Sequence, residues 1–131
     1  MLEHFFSPKA VAVVGASREE GKVGHDLLKN LVNHGYKGTI YPINPKVDNL
    51  LGIKAYASLN EVPDKIDLAV IVVPAAHVEK VVDECIIKGI DSIIVIGAGF
   101  KESGIEGAAR ERELYNKIKQ HSIRMLGPNC L

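Results

Sequence analysis

Short apolar runs alternate with longer amphipathic runs along this chain, and no other feature of the sequence constrains the fold as much. The strand candidates are Val11–Val14, Thr39–Ile43, Asp67–Val73, Ser92–Ile96 and Ile123–Leu126. The helix candidates are Gly24–His34, His77–Lys88 and Glu106–Gln120. Several strand candidates are apolar at consecutive positions, which is typical of a parallel sheet covered on both sides. The sequence therefore predicts an α/β protein with a doubly wound, mainly parallel sheet and helices on both faces.

Two regions of the chain carry more specific structural predictions. The segment 48–63 is rich in turn residues, so we predict a short connection with one turn of helix around Leu59–Val62. Cys85 falls on the apolar stripe of the second helix candidate, which indicates a core residue rather than a reactive thiol.

Length and composition exclude several classes of protein. A chain of 131 residues has the size of one domain, which we place at 1–131. Its 16 basic and 16 acidic residues balance, so nothing indicates a nucleic acid or a membrane surface as partner. No secretory signal is present at the start, and the two cysteines have no metal-ligand spacing. We expect a cytoplasmic protein without a metal site.

A glycine-punctuated turn follows the first strand candidate. Gly15, Ala16, Ser17 and Arg18 lead through Gly21, Lys22, Val23 and Gly24 into the first helix candidate. A helix that starts this way directs unpaired backbone N–H groups at a bound phosphate. The spacing is not the G-x-G-x-x-G of dinucleotide-binding proteins, because Ser17 stands at the second glycine. A tight strand-to-helix turn without a ligand is the alternative.

The other predicted strands also end in loops of small residues. In open parallel sheets, ligands bind beyond the carboxyl ends of the strands. These loops contain Gly, Pro and Ala but no grouped nucleophile, base and acid, so we predict a binding site without catalytic residues. The segments concerned are Gly15–Arg18, Pro42–Lys46, Val73–Ala76, Gly97–Phe100 and Gly127–Cys130.

The end of the second strand distinguishes between types of nucleotide. NAD-binding proteins commonly place an acidic residue there for the ribose hydroxyls, whereas this chain has Asn44, Pro45 and Lys46. A lysine suits an additional phosphate on the ribose, and with Arg18 and Lys22 it would form a small cationic set. Solvated surface cations are the alternative for each of the three residues.

Four motifs in order resemble a known family: Phe5–Ser17, Tyr41–Lys46, Val72–Ala75 and Gly127–Cys130. They are similar to the N-terminal CoA-binding domain of nucleotide-diphosphate-forming acyl-CoA synthetases, especially the archaeal-type ADP-forming acetate–CoA ligases. Succinyl-CoA synthetase alpha subunits are more distant relatives. The resemblance covers essentially the whole chain and implies a Rossmann-like domain.

The resemblance also implies a set of residues that bind coenzyme A. The first loop would hold the CoA phosphates, the second would flank the ribose phosphate and adenine, the third would cover the adenine or the pantetheine arm, and the fourth would guide the thiol. In that order the residues are Gly15, Ala16, Ser17, Arg18, Lys22, Val23 and Gly24; Asn44, Pro45 and Lys46; Val73, Pro74 and Ala75; Ala98, Gly99 and Phe100; with Asn129 from the last motif.

The function implied is that of one domain of a larger ADP-forming, acetate-type acyl-CoA ligase. It would hold CoA so that the thiol can take an acyl group from an acyl phosphate. The phosphohistidine and ATP-grasp parts of such enzymes do not occur in this sequence, so the partners would be the remaining ligase domains or an ATP-grasp subunit, in a homo- or hetero-oligomer. The alternatives are a stand-alone CoA-binding regulatory or storage protein, an NAD(P)-binding oxidoreductase domain and a structural subunit-contact module.

Overall fold

The computed structural model describes residues 8–97 and 104–127. The strands are β1 Ala10–Val14, β2 Thr39–Ile43, β3 Asn49–Leu50, β4 Ile53–Lys54, β5 Leu68–Ile71, β6 Ser92–Val95 and β7 Arg124–Leu126. The helices are α1 Val23–Asn33, α2 Ala75–Lys88 and α3 Ile105–Gln120, with a short 3-10 helix at Leu59–Glu61. Five strands form one sheet in the order β2-β1-β5-β6-β7, and every neighbouring pair in it is parallel. The predicted α/β class and parallel sheet are confirmed.

Alternate side chains of β1 enter two separate cores, one on each face of the sheet. Val11 and Val13 pack in the same cluster as Leu28 of α1. Ala12 and Val14 belong to the opposite cluster, which also contains Val78, Val82 and Cys85 of α2 and Leu114 and Ile118 of α3. Each fully buried valine or leucine contributes roughly 1.5–3 kcal/mol through the hydrophobic effect. These contacts explain why helices cover both faces, as the consecutive apolar strand residues predicted.

The strand order changes direction between β1 and β5. From β1 the chain first adds β2 on one side, and then returns to add β5 on the other. The connections that leave β1 and β5 therefore lie on opposite faces, and a crevice opens at the carboxyl ends of these two strands. This crevice is where a ligand is expected in a doubly wound sheet.

A small hairpin lies where the sequence predicted only a turn-rich connection. Strands β3 and β4 pair antiparallel, and the turn residues Leu51 and Gly52 have φ values of 51° and 79°. Two-residue hairpin turns of type I′ need positive φ at both positions, which usually selects Asn or Gly. Because Leu51 occupies the first of these positions, the sequence does not show the usual signal of this turn. The predicted helical turn at Leu59–Val62 is confirmed as the 3-10 helix.

The other differences concern element boundaries, whereas the prediction for Cys85 is confirmed. The strand predicted at Asp67–Val73 is only Leu68–Ile71, since Val72 and Val73 already turn into the crevice. Helix α2 begins at Ala75, two residues before the predicted start. Cys85 is fully buried, and this burial raises the pKa of its thiol to about 12. The thiol therefore stays protonated at neutral pH, which confirms the core assignment.

Two kinds of feature are absent from the described residues. None of the helices in ranges 8–97 and 104–127 combines the length and apolarity needed to cross a bilayer. Over the same two ranges, no three His, Cys, Asp or Glu side chains group as metal ligands.

Candidate functional site

A groove of about 630 Å³ occupies the crevice at the carboxyl ends of β1, β2 and β5. This volume lies within the range of small-molecule binding sites, roughly 300–1,000 Å³. The lining comes from three strand ends, one short segment before the 3-10 helix and one face of α2. It consists of Val14, Gly15, Ala16, Ser17, Ile43, Asn44, Pro45, Lys46, Ala57, Ser58, Val72, Val73, Pro74, His77, Lys80, Val81 and Glu84.

Two glycines allow the β1–α1 loop to pack tightly beneath the groove. Gly15 has φ +96°, and a Cβ atom there would lie 2.2 Å from the carbonyl oxygen of Val72. A Cβ atom on Gly24, in the first turn of α1, would lie 2.1 Å from the carbonyl oxygen of Gly15. Both distances are far below van der Waals contact, so only glycine fits at either position. The β1–α1 loop therefore packs this closely against Val72 and against α1 only because glycine occupies both positions.

Asn44 ties the loop after β2 to the loop after β1. Its side-chain Nδ2 donates to the carbonyl oxygen of Ala16 at 2.9 Å, and its Oδ1 accepts from the backbone N–H of Lys46 at 2.8 Å. Its own backbone N–H donates to the carbonyl oxygen of Tyr56 at 2.9 Å. These bonds hold two loops of the groove in one fixed arrangement, which reduces the entropy that a ligand must offset on binding.

The structure brings together most of the predicted residues of the first three strand ends. The predicted residues that line the groove are Gly15, Ala16, Ser17, Asn44, Pro45, Lys46, Val73 and Pro74. Arg18, Lys22, Val23, Gly24 and Ala75 are absent from the lining. The predicted residues Ala98, Gly99, Phe100 and Asn129 lie outside the described residues.

The predicted cationic set is dispersed over the surface near the groove. Lys46 lines the groove, whereas the exposed Arg18 and Lys22 stand outside its lining. Lys22 precedes the first residue of α1, and its Nζ lies 3.9 Å from a carboxylate oxygen of Glu19, with both side chains about two-thirds exposed. Such an exposed ion pair contributes little to stability, so Lys22 remains free to change partners.

Sequence reasoning missed the wall that α2 contributes. His77, Lys80, Val81 and Glu84 recur at intervals of three and four residues, so they share one face of the helix. The signal was present in the sequence, because this face adjoins the buried stripe of Val78, Val82 and Cys85. The expectation that ligands bind beyond the carboxyl ends of the strands does not identify this helix face, since its residues lie along a helix and not after a strand.

The described residues of the groove offer several polar groups that can bind a ligand. Ser17 Oγ accepts a hydrogen bond from the backbone N–H of Glu19 at 3.0 Å, which stabilises the loop. Among the described residues of the groove, no hydrogen bond joins a serine hydroxyl to His77, as an activated nucleophile requires. The polar side chains of the described lining carry amide, hydroxyl, imidazole, ammonium and carboxylate groups, which suit a polar ligand.

Comparison with known families identifies the domain. Residues 9–131 match the family described as a CoA binding domain, and this range includes every described residue that lines the groove. The chain belongs to the CoA-binding domain family. The predicted family resemblance is therefore confirmed.

This CoA-binding domain has similar sequences within much longer proteins. It is 50% identical over 130 residues to acetate–CoA ligase (ADP-forming) I of Archaeoglobus fulgidus, covering 99% of this chain and 19% of that protein. It is 41% identical over 131 residues to the acetate–CoA ligase (ADP-forming) II subunit alpha of Pyrococcus furiosus, covering all of this chain and 28% of the relative. The CoA-binding domain thus spans less than a third of either relative.

Solved structures show the same fold. The dinucleotide-forming acetyl-coenzyme A synthetase 1 of Candidatus Korarchaeum cryptofilum, in complex with phosphate and ADP, matches with a TM-score of 0.93 and 46% identity, over 98% of this chain and 27% of that one. A hypothetical protein from Pyrococcus horikoshii matches with a TM-score of 0.76 and 27% identity, over 94% of this chain and 78% of that one. The Rossmann-like fold is thereby confirmed.

Proposed function

We propose that this domain binds coenzyme A in the groove at the carboxyl ends of β1, β2 and β5, as part of an ADP-forming acyl-CoA ligase of the acetate type. The main support for the proposal is that the topology of the sheet and the family match point to the same groove. The groove lies at the point where the strand order reverses, and its lining residues fall within the CoA-binding family match.

The chemistry of the lining fits the parts of coenzyme A. Ala16 and Ser17 offer backbone groups to the diphosphate, whereas the N–H of Gly15 already donates to the carbonyl oxygen of Ile43 at 3.2 Å. Lys46 offers a positive charge to the phosphate on the ribose. Val73 and Pro74 provide an apolar surface for the adenine or the pantetheine arm. The close approach that Gly15 permits supports this fit, because a side chain there would displace the loop.

We also propose that the predicted residues outside the described lining contribute to CoA binding. Arg18 and Lys22 have long exposed side chains in the β1–α1 loop, where we propose that they contact the phosphates. Val23 and Gly24 open α1, and Ala75 opens α2. Ala98, Gly99, Phe100 and Asn129 complete the proposed set.

In the ligase, this domain orients CoA and the chemistry needs further parts. The CoA sulfur loses its proton and forms a bond to the acyl carbon of an acyl phosphate, while the carbon–oxygen bond to phosphate breaks and inorganic phosphate leaves. The proposed partners are the remaining ligase domains or an ATP-grasp subunit. The names of the similar proteins from A. fulgidus and P. furiosus support this reading.

A stand-alone CoA-binding protein is the second candidate function. The observation that favours it is the hypothetical protein from P. horikoshii, since this domain covers 78% of that chain and a short chain therefore adopts the fold. Both candidates require CoA in the same groove, and they differ in whether an acyl phosphate is consumed.

CoA is expected to stabilise the domain against heat more than other nucleotides do. A ligand present at about 100 times its dissociation constant adds roughly 2.7 kcal/mol to the free energy of unfolding, which raises Tm by on the order of 5–10 °C for this size. Thermal unfolding is measured in parallel with CoA, dephospho-CoA, NAD, NADP and ADP. No shift with CoA, or a larger shift with NADP, would contradict the proposal.

Lys46→Glu is expected to lower the affinity for CoA by about tenfold or more, because hydrogen bonds to charged groups are worth roughly 1.5–3 kcal/mol. The affinity for dephospho-CoA is expected to change much less. Dephospho-CoA lacks only the phosphate on the ribose. Isothermal titration calorimetry measures both affinities, with Lys29→Glu, exposed on α1 and outside the groove lining, as the matched control. Equal losses for the two ligands would show that Lys46 does not contact that phosphate.

A further inference from the structure

The groove extends from the strand ends along the face of α2 that carries Lys80. One of its walls is α2, with His77, Lys80 and Glu84. Another wall combines Lys46 with the segment of Ala57 and Ser58. That second wall is continuous, because the backbone N–H of Asn44 donates to the carbonyl oxygen of Tyr56, and Ile43 and Tyr56 form an isolated parallel bridge.

Lys80 and Lys46 bring two ammonium groups to this single groove. Both residues are exposed, and within ranges 8–97 and 104–127 neither pairs with a carboxylate. Glu84 follows Lys80 by four residues on the same helix face, yet the two side chains form no ion pair. The ammonium groups of Lys46 and Lys80 outnumber the carboxylate of Glu84 in the described lining, and this excess positive charge favours a ligand that carries concentrated negative charge.

The other carboxylates of α2 do not neutralise Lys80 either. Glu79 and Asp83 both accept hydrogen bonds from Nζ of Lys117 on α3, at 2.8 and 2.7 Å. Helix α2 therefore directs these two acidic side chains to α3 and presents Lys80 to the groove. The charge of Lys80 remains available to a ligand.

We propose that Lys80 is a second phosphate-binding residue, which together with Lys46 holds the 3′-phosphate of CoA and makes the groove selective for nucleotides that carry it. This inference rests on the proposed function. A phosphate monoester carries a charge of about −1.5 to −2 near pH 7, so two lysines match it better than one. The diphosphate is proposed to lie at the loop of Gly15–Ser17, which comes from a different strand end than Lys46 and from a different element than Lys80.

Calorimetric titration of four proteins with two ligands tests the role of Lys80. The proteins are the unmodified chain, Lys80→Met, Lys80→Arg and the control Lys29→Met; the ligands are CoA and dephospho-CoA. Lys80→Met is expected to lower the affinity for CoA by about tenfold. Its affinity for dephospho-CoA is expected to stay within about twofold of that of the unmodified chain. Lys80→Arg keeps the charge and is expected to retain CoA affinity within about threefold. Because Lys80 is exposed, Tm without ligand should not change.

The possible outcomes of this titration distinguish a failure of the role of Lys80 from a failure of the proposed function. The two-lysine phosphate site is supported if Lys80→Met selectively loses affinity for CoA while Lys80→Arg and Lys29→Met retain it. If the unmodified chain binds CoA but Lys80→Met loses both ligands equally or neither, the role of Lys80 is wrong and the proposed function stands. If the unmodified chain binds no CoA, the proposed function fails, and the role of Lys80 fails with it.

Discussion

Gly15→Ala is expected to lower the free energy of unfolding by roughly 2–5 kcal/mol and to remove most CoA binding. The new Cβ atom would lie 2.2 Å from the carbonyl oxygen of Val72, at a φ of +96° that disfavours any side chain. The left-handed conformation costs on the order of 1–2 kcal/mol, and an overpacked contact costs about 1–3 kcal/mol. Relief of the contact must move Gly15 in the β1–α1 loop or Val72 after β5, and both residues line the groove. Urea denaturation measures the stability, and calorimetry measures the affinity.

Two other glycines separate the conformational cost from the steric one. Gly21 has φ +88° but nothing within 4 Å of an added Cβ atom, so Gly21→Ala is expected to lose only about 1–2 kcal/mol. Gly24 lies in regular helix, and an added Cβ atom would meet the carbonyl oxygen of Gly15 at 2.1 Å, so Gly24→Ala tests the steric cost alone. If Gly15→Ala is no more destabilising than Gly21→Ala, tight packing against Val72 does not shape the groove.

Asn44→Asp is expected to weaken the binding of CoA by about a hundredfold and that of dephospho-CoA by a smaller factor of at least about tenfold. The aspartate has no N–H group to donate to the carbonyl oxygen of Ala16, so two acceptors would face each other at the present 2.9 Å. An unsatisfied polar group costs roughly 1–3 kcal/mol, and the added negative charge repels ligand phosphates. Dephospho-CoA loses affinity because the loop that contacts both ligands is disturbed, and CoA loses more because the new charge also repels its 3′-phosphate near Lys46.

The matched control for this substitution is Asn30→Asp, which introduces the same charge on α1 outside the groove lining. Calorimetry gives the affinities, and thermal unfolding without ligand shows whether the domain remains folded. Retention of CoA affinity in Asn44→Asp within about threefold of the unmodified chain would mean that the Ala16 hydrogen bond does not organise the binding site.

The sheet and the strand-end part of the groove could be predicted because they depend on local sequence patterns. Consecutive apolar residues in Val11–Val14 indicate burial on both faces, and that burial requires helices on both sides. Parallel strands place their carboxyl ends at one edge. The loops after β1, β2 and β5 therefore had to converge, and Gly15, Asn44 and Pro74 meet there.

The remaining features depend on tertiary contacts that no local pattern contains. The β3–β4 hairpin has Leu51 in a left-handed conformation, against the usual preference, and it buries Leu50 in the cluster that contains Leu28. The contribution of Lys80 depends on how α2 rotates about its axis as it packs, and so does the contact of Glu79 with Lys117. Sequence periodicity identifies the buried face of such a helix, but it does not assign the exposed faces to a groove or to a neighbouring helix.

Helix α2 divides its surface among three tasks. Val78, Val82 and Cys85 fill the core, Glu79 and Asp83 hold Lys117 of α3, and the face with Lys80 and Glu84 lines the groove. The side chains of the third face do not pair with those of the second. Substitutions of Lys80 or Glu84 can therefore alter which ligand is bound without loosening the helix that presents them, whereas Val81 on the same face also belongs to the core. This separation gives a domain of this kind a route by which ligand preference can diverge while stability is kept.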